Sequence, residues 1–136
     1  MALHNFSTEN FLIVVNGRTL TDWGTTDPAI THEPIDQISD LVRGMGGDAL
    51  RMDRVSPGRR YTVNLQPGSQ DSAFMQTLMN SKANITISTT QIGTLDKTIA
   101  SEGVIVNDGS TGRAGQSPTD DQYIIEFNKF QQTKGS

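Results

Sequence analysis

Apolar and polar positions alternate with a period of two along most of the chain, and one later stretch keeps the period of a helix. Phe11-Leu12-Ile13-Val14-Val15 is a short β-branched run ending on Asn16-Gly17. It reads as a buried strand entering a two-residue hairpin turn, because Asn and Gly both tolerate positive φ. The partner strand is expected over residues 18–23, with Leu20 and Asp22 on one face. Residues 24–28 break the pattern, since Pro28 cannot donate to a sheet ladder. Residues 29–33 read as the next strand, ended by Pro34.

Beyond it, Ile35, Ile38, Leu41 and Val42 recur at helix-like spacing, with Asp36 and Asp40 on the wet side. A short helical turn inside a long loop is therefore expected over residues 35–47. Gly44, Gly46 and Gly47 release the chain into a strand over 48–55, whose Leu50 and Met52 share a face. Ser56-Pro57-Gly58 is a turn with φ preset by proline and freedom supplied by glycine, which makes 48–66 a hairpin. In its second arm Tyr61, Val63 and Leu65 oppose Arg60, Thr62, Asn64 and Gln66.

Pro67-Gly68 stops that strand, and Ser69 or Asp71 can cap the helix that follows. Its apolar stripe is Phe74, Met75, Leu78 and Met79, and residues 80–84 close it. The period then returns to two, with Ile85 and Ile87 opposed to Thr86 and Ser88. Further strands are expected over 94–100, 103–107 and 122–130, the last with Tyr123, Ile125 and Phe127 opposed to Ile124, Glu126 and Asn128. Residues 107–120 read as a Gly/Ser/Thr/Pro loop, long enough to be functional or partly disordered. A polar arm (1–10) and a polar tail (131–136) flank a single domain over 11–130. The fold class is mainly β: a two-sheet β-sandwich or barrel with one flanking α-helix.

Composition changes this picture in one respect. Leu, Ile, Val and Phe together are 31 of 136 residues, or about 23%, just above the roughly 20% below which chains tend to disorder. The core is thin, which suits a subunit that completes its burial against neighbours. With no cysteine, disulfides and thiol chemistry are excluded. Residues 1–10 show no basic region followed by an apolar run, so no signal peptide is expected. The longest apolar run, 11–15, is far short of the roughly 20 residues that span a bilayer, so no membrane partner and synthesis in the cytoplasm are expected. A net charge of −4 argues against stable nucleic-acid binding but not against a wall that DNA slides past.

Residue types that carry chemistry are few. His4 lies in the arm, and His32, between Thr31 and Glu33 in a strand, reads as a satisfied surface or core residue rather than a ligand or catalytic base. Asp108, Asp120 and Asp121 lack the spacing of a calcium loop. Gly44-Met45-Gly46-Gly47 has no Gly-Lys-Ser/Thr and reads as a connector, not a phosphate loop. Arg51, Arg54, Arg59 and Arg60 form the one basic concentration. Forked bonds to a neighbour's carboxylates and ordinary solvated hairpin charge both remain open for them. No catalytic, cofactor or metal residue is expected. A small β-sandwich module for carbohydrate or protein is a rival, but Trp23 is the single Trp and there are only two Tyr.

Asn16-Gly17 with Leu20-Thr21-Asp22-Trp23-Gly24, the loop Arg43-Gly44-Met45-Gly46-Gly47, and Leu65-Gln66-Pro67-Gly68-Ser69 leading into a helix resemble bacteriophage tail tube proteins. These are the small virion proteins that form the inner tube of contractile tails. The resemblance runs from about residue 11 to 130 and implies stacked hexameric rings whose sheets join edge to edge. Implied partners are further copies of the chain, the surrounding sheath, the tape-measure protein and passing DNA in the lumen, and baseplate and terminator proteins at the ends. The implied location is the virion. A tube of a secretion system or tail-like bacteriocin would share fold and assembly with a different cargo.

In that family a long loop reaches the next ring. The matching contact residues are Ile35, Ile38, Leu41, Arg43, Met45, Gly46 and Gly47. Arg51, Arg59 and Arg60 are placed with them at subunit contacts, because a basic lumen would hold DNA back. Thr62, Asn64, Gln66, Thr86 and Ser88 are the expected lumen-facing positions.

Overall fold

The computed structural model describes residues 11–26, 28–92 and 96–134. The expected arm, 1–10, and the last two residues of the tail lie outside them. The elements run β1 (Phe11–Val15), β2 (Arg18–Thr19), β3 (Ile30–Pro34), β4 (Ser39–Arg43), β5 (Ala49–Asp53), β6 (Arg59–Leu65), α1 (Gln70–Ser81), β7 (Ile85–Gln91), β8 (Asp96–Asp108) and β9 (Asp121–Thr133). Seven strands make one antiparallel sheet in the order β2-β1-β7-β8-β9-β6-β3, and β4 and β5 pair with each other alone. The mainly β class with one helix stands.

The large sheet curls around its own apolar face. Tyr61 lies opposite Ile125 and Thr98 lies opposite Gln132, seven positions further along β9. In a flat sheet that offset alone is about 23 Å at roughly 3.3 Å per residue. Yet the Tyr61 hydroxyl donates to Thr98 Oγ1 at 2.8 Å, so the sheet must bend back on itself. Register shifts in β7/β8 and β8/β9, and Glu102 at φ +56°, supply the bends. Inside lie Ile13, Val15, Tyr61, Val63, Leu65, Ile85, Ile87, Ala100, Tyr123, Ile125 and Phe127, all inner-face residues of the alternating strands.

Gly103 sits opposite Phe127, and a Cβ there would run into the Phe127 ring. That ring packs edge-on to Tyr61 at 5.3 Å and has nowhere to go. Gly103→Ala is expected to cost about 2 kcal/mol through overpacking, a fall of about 7 °C in Tm, read by thermal denaturation.

The helix forms where expected. Ser69 caps it by accepting from the Ser72 amide at 3.1 Å, and Lys82 closes it at φ +55°. Met75 enters the core, with Phe74, Leu78 and Met79 packed at its margin. Asp71 is not the cap. Its carboxylate turns outward to accept from the amides of Thr21 (2.7 Å) and Asp22 (2.9 Å) and to pair with Arg18 Nε at 2.8 Å. The expected strand over 18–23 therefore stops at Thr19, because those amides serve a carboxylate instead of a ladder. Burial pushes the Asp71 pKa up, but the two amides and Arg18 outweigh it, and the carboxyl ends below its ordinary range.

Four other expectations are corrected. Residues 39–43 are extended, not helical, since the alternation of Ile38, Asp40 and Val42 with Leu41 and Arg43 finds a partner strand in β5. Residues 48–66 are not one hairpin, because β5 pairs with β4 while β6 pairs with β3 and β9. The strand expected from 103 is continuous with the one before it, through the bulge at Glu102. β9 also runs to Thr133, past the expected end at 130.

Candidate assembly surface

β4 and β5 form an arm that continues the β3–β6 pair outward. Its neck is held by the Ile35 amide on the Gly58 carbonyl (3.5 Å), the Asp36 amide on Pro57 (3.0 Å) and the Arg54 amide on Ile38 (3.0 Å). The glycine-rich segment closes its far end. The Gly44 amide bonds the Asp48 carbonyl at 2.7 Å, and Gly47 at φ +94° takes the left-handed position of a three-residue hairpin loop. Connector, not phosphate loop, is what the segment does here.

Direct register assigns the arm two faces. Val42 lies opposite Leu50 and Asp40 opposite Met52 on one face; Leu41 lies opposite Arg51 and Ser39 opposite Asp53 on the other. Ile38 precedes the first face, and Met45 stands fully exposed at the tip. Of the thirteen large apolar side chains exposed among the described residues, eight lie between Ile35 and Val55. A lone two-stranded hairpin is at best marginally stable in water. Exposed apolar side chains on both faces of such a hairpin are the kind of surface that marks an interaction site.

Of the expected contact residues, Ile35 packs at the neck against Gly58, while Ile38, Leu41, Arg43, Met45, Gly46, Gly47 and Arg51 belong to the arm. Arg59 and Arg60 do not. Arg60 bonds Glu126 at 2.7 Å and approaches Glu33 at 3.5 Å. Arg59 donates to His32 Nδ1 at 3.0 Å and lies 4.5 Å from the Phe130 ring centroid. Arg51 and Arg54 also find carboxylates within the chain, Asp53 at 2.8 Å and Asp40 at 3.1 Å. The basic cluster is thus matched largely from within, a pairing of distant residues that one sequence cannot reveal. His32 stacks on Tyr61 at 5.0 Å. Burial foremost, then Arg59 and Lys134, hold its pKa below the ordinary value.

The expected lumen positions divide. Thr62 and Ser88 are half-exposed on the outer face of the sheet, and Gln66 and Thr86 are exposed. Asn64 is 6% exposed, bonded to the Ala29 carbonyl and to Gln122, and so leaves the wet set. The outer face is also less polar than expected. Ser88 lies opposite exposed Ile99, and Leu12, Val104 and Val106 are exposed as well. Among the described residues, no three His, Cys, Asp or Glu come together to hold a metal ion.

No known protein family's profile matches the chain, and no curated protein sequence does. Solved structures do match. A chain of the sheath–tube complex of an extracellular contractile injection system (PVC), in its extended state, superposes with a TM-score of 0.63 at 12% identity, over 96% of this chain and 92% of that one. A chain of that system's sheath/tube terminator gives 0.62 at 15% identity, over 98% and 99%. One from the tube-terminating cap of the anti-feeding prophage gives 0.58 at 14%, over 99% and 95%. At such identities the likeness establishes architecture: the fold is one shared by chains of contractile injection assemblies.

Proposed function

We propose that this chain is a structural subunit that self-assembles into the inner tube of a contractile particle. The observation that carries the reading is the β4–β5 arm, an outgrowth of the sheet whose exposed apolar side chains serve no purpose in an isolated subunit. Likeness along the whole chain to components of contractile injection assemblies supports it. In this account copies join edge to edge through β3 and the β1–β2 side into hexameric rings. Unpaired strand edges, a liability in a monomer, are what such a ring uses. The arm reaches the adjacent ring, and sheath, baseplate and terminator proteins meet the tube outside and at its ends.

In a phage tail the lumen carries the tape-measure protein and then DNA, and the net charge of −4 suits a wall that DNA passes without sticking. A second reading, the tube of an injection system with a protein cargo, is favoured by the neighbours, which come from such systems. Sedimentation of the purified chain over rising concentration tests the shared part. Growth into rings and longer species is expected; a monomer at every concentration contradicts it. Capsid and DNA-packaging genes beside this one would decide for the phage tail, and their absence for the second reading.

A further inference from the structure

At the end of β8 and β9 opposite the helix, the mouth of the curled sheet opens into a cleft of about 430 Å³, large enough for a small ligand. Two features of its lining are unexplained by folding alone. Gln91 is 7% exposed and its Nε2 has no hydrogen-bond partner. Buried donors are nearly always satisfied, and leaving one unpaired costs stability. Beside it, Tyr61, Thr98 and Thr89 form a chain of hydroxyls, Tyr61 donating to Thr98 and Thr98 sharing one hydrogen with Thr89. Three hydroxyl hydrogens enter two bonds, so one more donor is left at Thr89 or Thr98, both on the cleft wall.

The charge there runs against that of the chain. Among the described residues, Arg59, Lys97 and Lys134 line the cleft against one carboxylate, Asp96, while the whole protein carries −4. Spare donors and a local excess of cations select the same chemistry. A cation would meet three positive charges, and an apolar ligand would leave Gln91 unpaired.

We propose that this cleft is an oxyanion site that takes a phosphate or carboxylate group, with Gln91 Nε2 and a threonine hydroxyl donating and Lys97 and Lys134 supplying charge. The oxyanion comes either from solution or from an acidic side chain of a second copy. The site stands independently of the tube reading.

The test is thermal denaturation of the full chain, with Gln91→Met and Lys97→Gln as variants. In one arm inorganic phosphate is titrated at constant ionic strength and low protein concentration. Wild type is expected to gain about 5 °C near saturation, and both variants to lose most of that gain. Gln91→Met should also melt about 3 °C higher than wild type without phosphate, since it no longer buries an unpaired donor. In the other arm, protein concentration is raised in phosphate-free chloride buffer. A rise in wild type that both variants lose assigns the oxyanion to a carboxylate of another copy. A concentration-dependent rise that the variants share reports assembly through other surfaces; no phosphate gain that the variants lose, together with no concentration-dependent rise that they lose, overturns the proposal. Should Gln91→Met not fold, exposed Lys97→Gln decides both arms by itself.

Discussion

Replacing Val42 with Lys and Leu50 with Glu is expected to leave a folded chain that no longer builds tubes. The two residues lie directly opposite each other on β4 and β5, 53% and 59% exposed. Because neither touches the core, the melting of the isolated chain should change by no more than about 0.5 kcal/mol. The opposite charges keep a favourable cross-strand pair, so the arm itself is not broken. At a ring-to-ring contact the loss is larger. Burying a Val or Leu side chain is worth about 1.5–3 kcal/mol, so two lost per contact remove about 4 kcal/mol, roughly a thousandfold in affinity. Every contact in a helical assembly repeats that loss. Electron microscopy and circular dichroism read the two halves of the prediction. Tubes of normal length from the double variant would show that the arm is not the stacking element.

Asp71→Ala is expected to lower Tm by about 10 °C, the largest effect of any single substitution considered for the fold. Its side chain is 2% exposed, and it joins the helix start to the turn after β2 by accepting from two backbone amides and Arg18. Removal leaves both amides, which are part-buried, without their acceptor. Arg18 remains 39% exposed and can return to water, so the ion pair counts for less than a fully buried one. Together about 3 kcal/mol is at stake, and at this chain length that is about 10 °C.

Acid carries the same signature. The folded pKa of Asp71 lies below its unfolded value, so its stabilisation is complete above the ordinary carboxylate range, near 4, and is lost below that range as pH falls through the lower folded pKa. His32, held neutral by burial and by Arg59, costs the fold nothing above its unfolded pKa near 6.5 and destabilises it progressively below, where the unfolded chain takes up the proton more readily. Urea denaturation from pH 8 to 3 should show a shallow decline beginning near 6.5 and a steeper one below about 4. Asp71→Asn should reduce the second decline; an unchanged slope there would mean that Asp71 contributes no linkage.

What was legible in the sequence was whatever depends on neighbours along the chain. The Asn16-Gly17 turn, with both residues at positive φ, the inward rows of β6, β7 and β9, and the helix from Gln70 to Ser81 rest on local spacing and backbone chemistry. What was not legible depends on distant partners. Ile35, Ile38, Leu41 and Val42 fit a helical period as well as an extended one, and only the pairing with β5 decides between them. Arg18 and Asp71 stand 53 positions apart, so nothing local announces that a carboxylate will end β2. The arginines looked available because their partners, Glu126 and His32, arrive from other strands. At the candidate site, the span of the reaching segment came from resemblance, its strand geometry from the fold.

The most direct test of the central claim is electron microscopy of the purified, unmodified protein at high concentration. The account predicts rings about a central hole, and stacks of rings lengthening into hollow tubes. A uniform population of monomers, without rings at any concentration, would contradict it.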